Sequence, residues 1–300
     1  MSCMLNVLIT GAQGQVGAEL VKTAPTEFKT MGLGSKQLNI TNQQHIQSAL
    51  AKYKPDLIIN AAAYTAVDKA ESDADTAFAV NEQGVAYLAQ AASAANISLF
   101  HISTDYVFAG TAHSPYKETD PVNPQSVYGA SKLAGEQVLA STLKKHIILR
   151  TSWVFGASGN NFVKTMLRLA AERDELSVVA DQHGCPTSAN SIAKTLWQLA
   201  QLYADQGSLP WGTYHFSNAP ACTWHDFANE IFAQAVTAGL LDKQPTLHPI
   251  TSTEYPTPAQ RPAWSVLDCH KIDNLLSIKH ENWQDQLNNL LEELARAHVM

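Results

Sequence analysis

The sequence predicts an α/β fold, a doubly wound parallel sheet carrying a smaller C-terminal lobe. Three observations point there. Apolar runs rich in Ile, Leu and Val, separated by helical patterns, fall at residues 5–10, 56–60, 97–103 and 146–151, with a further strand suggested at 28–33, and strands that alternate with helices build parallel sheets. The first run leads directly into Gly11-Ala12-Gln13-Gly14-Gln15-Val16-Gly17 and then a helical stretch, the strand–turn–helix of a Rossmann-type unit. From Asp181 onward the clean alternation loosens. Residues 1–155 are therefore expected to form the dinucleotide-binding domain. Residues 156–300 are expected to form mainly a substrate-binding lobe and a terminal helix, with a return of the chain to the first domain within 156–240.

Composition narrows the function classes. At 45% hydrophobic and 16% charged, the 300-residue chain is an ordinary globular sequence. Its net charge of -7 offers no basic field, which argues against non-specific nucleic-acid binding. No apolar run approaches the roughly 20 residues of a membrane span. The apolar start reads as a strand and not as a signal peptide. Cys3, Cys185, Cys222 and Cys269 are far apart with no C-x-x-C pair. Neither a zinc site nor a disulfide framework is expected, and a reducing cytoplasm fits.

Each element follows from local chemistry. In the first turn, Gly11 permits the tight bend, Gly14 lets backbone approach a pyrophosphate, and Gly17 lets the helix pack on the strand. The helix over 18–23 then aims its N-terminal N–H groups at phosphates. After the second strand, an NAD-preferring site often carries an acidic residue for the ribose 2′-hydroxyl. Gly32-Leu33-Gly34-Ser35-Lys36 stands here instead, with Asn39 and Ile40 just beyond. Nothing there repels a 2′-phosphate; Lys36 reads equally as a partner for one or as a solvated loop charge. Thr41 is expected to cap a helix over 41–53 that Pro55 stops. The third strand opens into Ala61-Ala62-Ala63-Tyr64, small residues that leave room for a flat ligand.

A long helix is expected over 75–95. Ser103-Thr104-Asp105-Tyr106 ends the fourth strand, at the sheet edge where open α/β sheets bind ligands. Residues 110–125, with three prolines, form a loop. Trp153-Val154-Phe155-Gly156 ends the fifth strand, and Asn160-Asn161-Phe162 caps a helix over 163–173. A short strand is expected at 176–180, another at 213–216, and helices at 191–203, 224–238 and 282–297. Residues 245–262, rich in Pro and Thr and containing Arg261, read as a surface connection reaching over a cleft.

Tyr128 and Lys132 lie four residues apart in Ser-Val-Tyr-Gly-Ala-Ser-Lys-Leu-Ala-Gly-Glu-Gln, which puts both on one helix face. A free phenol near pKa ~10 is a poor acid–base group at neutral pH, and an adjacent ammonium favours the phenolate. Taken alone, the pair reads equally as a half-buried tyrosine beside a solvated lysine.

The glycine spacing, Ser103-Thr104 and Tyr128 with Lys132 occur together in one known design. The sequence resembles the extended short-chain dehydrogenase/reductase family. Within it the chain is similar to the dTDP-4-dehydrorhamnose reductase family over nearly its whole length. Thr65-Ala66-Val67-Asp68-Lys69-Ala70-Glu71, Ser103-Thr104-Asp105-Tyr106-Val107-Phe108, Arg150-Thr151-Ser152-Trp153-Val154 and Tyr255-Pro256-Thr257-Pro258 with Arg261-Pro262 carry that likeness. The resemblance implies NADPH- or NADH-dependent reduction of a 4-keto dTDP-sugar for rhamnose supply to surface polysaccharide. It implies Tyr128 as proton donor, Lys132 on the nicotinamide ribose and tuning Tyr128, and Thr104 at the reacting oxygen. Gly11 to Gly17, Asn39, Ile40, Ala61, Ala62, Ala63 and Tyr64 would hold the cofactor. Val67, Thr104, Asp105, Tyr106, Trp153 and Arg261 would hold the sugar nucleotide. No macromolecular partner is implied beyond a homodimer.

Some members link that dimer through Mg²⁺ held by carboxylates. Here the matching positions are Gln15 and Asn190, with only Glu292 or Glu293 left, and neutral amides bind hard cations less well. No metal is therefore expected. Dehydratases of the superfamily carry Thr-Asp-Glu where this chain has Thr104-Asp105-Tyr106. Epimerases, and a non-catalytic NADP-binding regulator of the methionine adenosyltransferase type, remain the competing readings.

Overall fold

A computed structural model describes residues 5–278 and 280–299; Cys3 lies outside them. The elements run β1 (Asn6–Thr10), α1 (Gln15–Lys22), β2 (Lys29–Leu33), α2 (Gln43–Tyr53), β3 (Leu57–Asn60), α3 (Val67–Ala70), α4 (Ala74–Phe78), α5 (Gly84–Ala94), β4 (Ser98–Thr104), α6 (Val127–Thr142) and β5 (His146–Thr151). The chain continues through β6 (Val154–Phe155), α7 (Phe162–Glu172), β7 (Glu175–Val179), β8 (His183–Gly184), β9 (Thr187–Ser188), α8 (Ala189–Gln206), β10 (Gly212–His215), β11 (Cys222–Thr223), α9 (Trp224–Thr237), β12 (Thr246–Ile250), α10 (His270–Leu276) and α11 (Trp283–Val299).

Six parallel strands form the main sheet in the order β2-β1-β3-β4-β5-β10. The period-2 rule sends successive strand residues to opposite faces. Val7, Ile9, Leu57, Ile59, Phe100, Ile147 and Leu149 pack with Leu20 of α1 and Ile192 and Leu196 of α8. Leu8, Ile58, Leu99 and Ile148 pack with Ile46 of α2, Leu88 of α5 and Leu139 of α6. Burial on both faces is why the middle stretches of these strands are mostly apolar. A separate core, including Val163, Leu176, Phe227, Phe232, Trp283 and Leu287, holds α7, β7, α9 and α11 together. The strand order reverses between β1 and β3, which places the ligand crevice at their carboxyl ends.

Several local expectations change. Asn42, not Thr41, caps α2, its Oδ1 accepting from the N–H groups of Gln44 and His45. The helix expected over 75–95 is α4 and α5 joined by a π turn, Ala79–Gln83. That turn carries Asn81 inward, and such turns often mark functional sites. Val154–Phe155 does not extend β5 but pairs with β9. Residues 245–262 are not merely a connection: they hold β12, which pairs with β7 in parallel, and a 3₁₀ turn, Ser252–Glu254. Backbone pairing rescues a polar segment whose composition gives no strand signal. The short helices α3 and α10 were not anticipated.

Helix α6 is fixed at its start and again midway along. Ser126 Oγ accepts from Gly129 N (3.1 Å), and Glu71 Oε1 accepts from Val127 N (2.9 Å). Further along, Glu136 receives Arg150 Nε at 2.9 Å and Nη2 at 2.6 Å, both side chains buried. A forked pair of this kind is strongly oriented, and neutralising one partner strands the other charge. Glu136→Gln is expected to cost about 3–5 kcal/mol of stability, read as a lower urea midpoint with unchanged slope; an unchanged midpoint would show that the pair is not structural.

Candidate active site

Gly11 closes the turn after β1 at φ +64°, and a Cβ there would sit 2.6 Å from Ala62 N. Only glycine tolerates both the left-handed backbone and that approach. Gly14 N donates to Gly11 O at 2.9 Å, and Gly14 occupies the N-cap of α1 without a side-chain cap. The first-turn N–H groups of α1 are thus available for ligand oxygens. Gly17 presses on the Gly11 carbonyl, so Val16 and Gly17 are buried. Gln13, exposed beside Ala12, lies against Gly34 at the end of β2. Gln15 Oε1 accepts from Asn161 Nδ2 at 3.0 Å.

Across the crevice, Ala61, Ala62, Ala63 and Tyr64 are half-buried. Asn81 anchors them: its Oδ1 accepts from Tyr64 N (2.9 Å), and its Nδ2 donates to Tyr64 O and to Ser131 Oγ on α6 (both 3.0 Å). No sequence signal singled out Asn81, since its role depends on the π turn. Ile40 is a core residue at 3% exposure, against Gly84. Asn39 is exposed and its Oδ1 accepts from Thr41 N and Oγ1. Ile40 therefore faces the core, and a cofactor reaches this edge only through backbone or Asn39.

At the carboxyl end of β4, the Thr104 hydroxyl donates to Asp105 Oδ1 (2.9 Å) and accepts from Tyr106 N (3.2 Å). Tyr128 on α6 lies beside them, edge-on to Tyr106 with ring centroids 5.6 Å apart. Burial pushes the Tyr128 phenol well above its ordinary range, with Thr104 pulling the other way. Asp105 is raised to about 6 by burial, and its Oδ2 is buried without a hydrogen-bond partner.

Lys132 is 1% exposed. Its Nζ donates to Ile102 O at 2.7 Å and lies 3.2 Å from His101 Nε2. Burial lowers it to about 8. Burial dominates the Tyr128 phenol here, and Lys132, directed at the Ile102 carbonyl, is not among the groups that move it.

Arg261 reaches this cluster from the far side of the molecule. Its Nη2 pairs with Asp68 Oδ2 at 2.7 Å, and Nη1 approaches Tyr106 OH at 3.5 Å. Val67, Tyr64 and Tyr106 pack around Tyr128. The structure thus brings together Val67, Thr104, Asp105, Tyr106, Tyr128 and Arg261, and adds Asp68. Trp153 is not in that cluster. It stacks on Trp224 with centroids 3.5 Å apart, in the left-handed region at φ +47°, a conformation that costs energy for a bulky residue. Among the described residues, no group of three or more His, Cys, Asp or Glu converges to hold a metal, and no helix is long and apolar enough to cross a membrane.

The Rossmann-type sheet with a glycine turn at its switch point and a Tyr128/Lys132 helix beside Thr104 defines the extended short-chain dehydrogenase/reductase class. The family model described as RmlD substrate binding domain matches residues 5–296. A dTDP-4-dehydrorhamnose reductase from Aggregatibacter actinomycetemcomitans is 47% identical over 96% of this chain and 98% of its own length. A solved dTDP-4-dehydrorhamnose reductase from Bacillus anthracis, in complex with NADP, superposes with a TM-score of 0.90 at 36% identity, covering 97% of this chain and all of that one (100%). The UDP-glucose 4-epimerase of Thermus thermophilus, at 21% identity and a TM-score of 0.74 over 97% of this chain and 99% of its own, shares the fold. The chain belongs to the dTDP-4-dehydrorhamnose reductase family.

The Mg²⁺ site of some members finds a poor donor set here. Gln15 is engaged with Asn161, and Asn190 Nδ2 donates to Glu19 Oε2 at 3.2 Å. Glu293 pairs with Lys22 Nζ at 2.6 Å, and Lys22 also lies 3.6 Å from the buried Glu19. The sequence reading overlooked Glu19 and Lys22. A side-chain cation already compensates these carboxylates, so a divalent ion there would meet Lys22 repulsion and two amides. Excess EDTA is expected to leave turnover and sedimentation coefficient unchanged; loss of either, restored by Mg²⁺, would overturn this.

Proposed function

We propose that this chain reduces the 4-keto group of dTDP-4-dehydro-L-rhamnose to give dTDP-L-rhamnose, using NADPH or NADH. The observation that carries the reading is the placement of the Tyr128 phenol beside Tyr106 and the Thr104 hydroxyl, at the same end of the sheet as the glycine turn. When bound, the dinucleotide supplies the hydride. The turn from Gly11 to Gly17 and the half-buried Ala61 to Tyr64 would hold it, with pyrophosphate against the start of α1.

The chain's own residues do the rest. As charge develops on the keto oxygen, Tyr128 OH gives its proton, and Thr104 Oγ1 offers a second hydrogen bond once its hydrogen swings away from Asp105 Oδ1; donors at a developing oxyanion are the largest catalytic contribution in many enzymes. Lys132 supports this centre from beneath α6. Val67, Tyr106 and Arg261 border the sugar, Asp105 orients the Thr104 hydroxyl, and Trp153 with Trp224 gives a flat wall farther out. The free Cys185, Cys222 and Cys269 fit a reducing cytoplasm. A homodimer is compatible with this reading.

NADPH consumption with dTDP-4-dehydro-L-rhamnose, set against the dTDP-glucose-derived 4-keto sugar, tests the assignment; turnover of the second alone refutes it. Tyr128→Phe is expected to lower kcat about 10²–10⁴-fold with cofactor affinity retained, the span of general acid catalysis. Near-normal turnover would remove Tyr128 as proton donor. At the β2 end, Gly34, Ser35 and the exposed Lys36 present no carboxylate. Both cofactors should work, NADPH equally or better. A preference for NADH beyond about tenfold, roughly 1.4 kcal/mol, would contradict this.

A further inference from the structure

A buried polar chain runs from the crevice to Lys132, through residues the mechanism above does not use. Thr10, Asn60 and His101 are each 0% exposed. They sit on β1, β3 and β4, three neighbouring strands of the sheet. Thr10 Oγ1 donates to Asn60 Oδ1 at 2.5 Å, and Ala62 N donates to the same oxygen at 3.2 Å. Asn60 Nδ2 lies 2.9 Å from His101 Nδ1, and His101 Nε2 lies 3.2 Å from Lys132 Nζ.

Donor and acceptor roles propagate along this chain in one direction. The Ala62 backbone N–H is a donor and nothing else, so the atom of Asn60 that meets it is the carbonyl oxygen. The amide NH₂ then faces His101, and Nδ1 must accept. Full burial, with Lys132 and His146 nearby, lowers His101 far below its ordinary range, so the ring is neutral. A neutral ring that accepts on Nδ1 carries its single hydrogen on Nε2. That N–H points at Lys132. An ammonium has three donors and no lone pair, whereas a neutral amine can accept from Nε2–H while donating to Ile102 O.

We propose that Asn60 and His101 are positioning residues that lock the His101 proton on Nε2 and so disfavour the ammonium form of Lys132. The protonated state puts two donors face to face; the neutral state satisfies every group in the chain. Other charges do not reverse this. Tyr128 and Glu136 share α6 with Lys132, His101 faces it from β4, and His146 and Arg150 lie on β5. Glu136 favours the ammonium, but it is already forked onto Arg150. Asp68, Asp73 and Glu82, on the segments that pack along the other side of α6, exert no resolved pull on Lys132. Burial works in the same sense as the bond network and brings Lys132 to about 8.

The consequence for turnover rests on the proposed role of Lys132. Its positive charge is present below its pKa and lost as pH rises through it, so kcat/KM should fall above about pH 8.

Two measurements test the lock without substrate. Long-range ¹H–¹⁵N spectra of histidine-labelled protein should show His101 neutral and protonated on Nε2; protonation on Nδ1, or on both nitrogens, overturns the proposal. Titration of ¹³Cε-labelled lysine, with the Lys132 signal assigned by its loss in Lys132→Met, should give a midpoint near 8. Asn60→Asp keeps the shape but accepts from Nδ1–H, which frees Nε2 to accept from the ammonium. The Lys132 midpoint should rise by about one pH unit or more, roughly a tenfold change in proton affinity, and the alkaline limb of kcat/KM should move with it. An unchanged midpoint in Asn60→Asp overturns the lock. Should that variant not fold, the wild-type tautomer and His101→Gln, whose carbonyl can accept from the ammonium and raise the same midpoint, still decide. Failure to turn over the dTDP-sugar would refute the proposed substrate and leave these midpoints intact.

Discussion

Lys132 lies beneath α6 with its Nζ on the Ile102 carbonyl oxygen at the end of β4, and the site around it is arranged by the cost of that burial. Desolvating a lysine is expensive unless its donors are met. The helix must therefore sit close enough for the side chain to reach the sheet. Glu136 and Arg150 tie the same helix to β5 one turn farther on, and Gly135 lets it press against the Asn81 carbonyl of the π turn. With α6 held this way, Tyr128 cannot avoid the space beside Thr104.

The same closeness explains the electrostatics. Water is excluded, so the Tyr128 phenol stays protonated, Asp105 rises, and His101 loses its charge. In bulk water these groups would behave independently. In a site where hydrogen bonds are their main solvent, each proton position constrains the next. The crevice becomes a place where a developing negative charge meets donors already aimed at it.

The far wall of the crevice is built from distant parts of the chain. Arg261 closes on Asp68 of α3, and Trp153 is pinned by Trp224. Exposed ion pairs are worth little, so the clasp on Asp68 favours a geometry more than it adds stability. It places Arg261 next to Tyr106, which in turn packs edge-on to Tyr128.

The sequence alone determined the sheet, because alternating apolar strands and amphipathic helices leave few other ways to bury both. It also determined the glycine turn, since Gly11, Gly14 and Gly17 each answer a local backbone demand, and the Tyr128/Lys132 pairing, since four residues span one helical turn. Tertiary structure decided what local pattern cannot encode. The π turn that carries Asn81, the strand within 245–262, and the pairing of Lys22 with Glu19 and Glu293 depend on partners far along the chain. So does the setting of Lys132: the spacing to Tyr128 predicts a shared helix face, whereas its contacts with Ile102 O and His101 come from packing against β4. Proximity along a helix is a property of sequence, but the solvation of a charge is a property of everything packed around it.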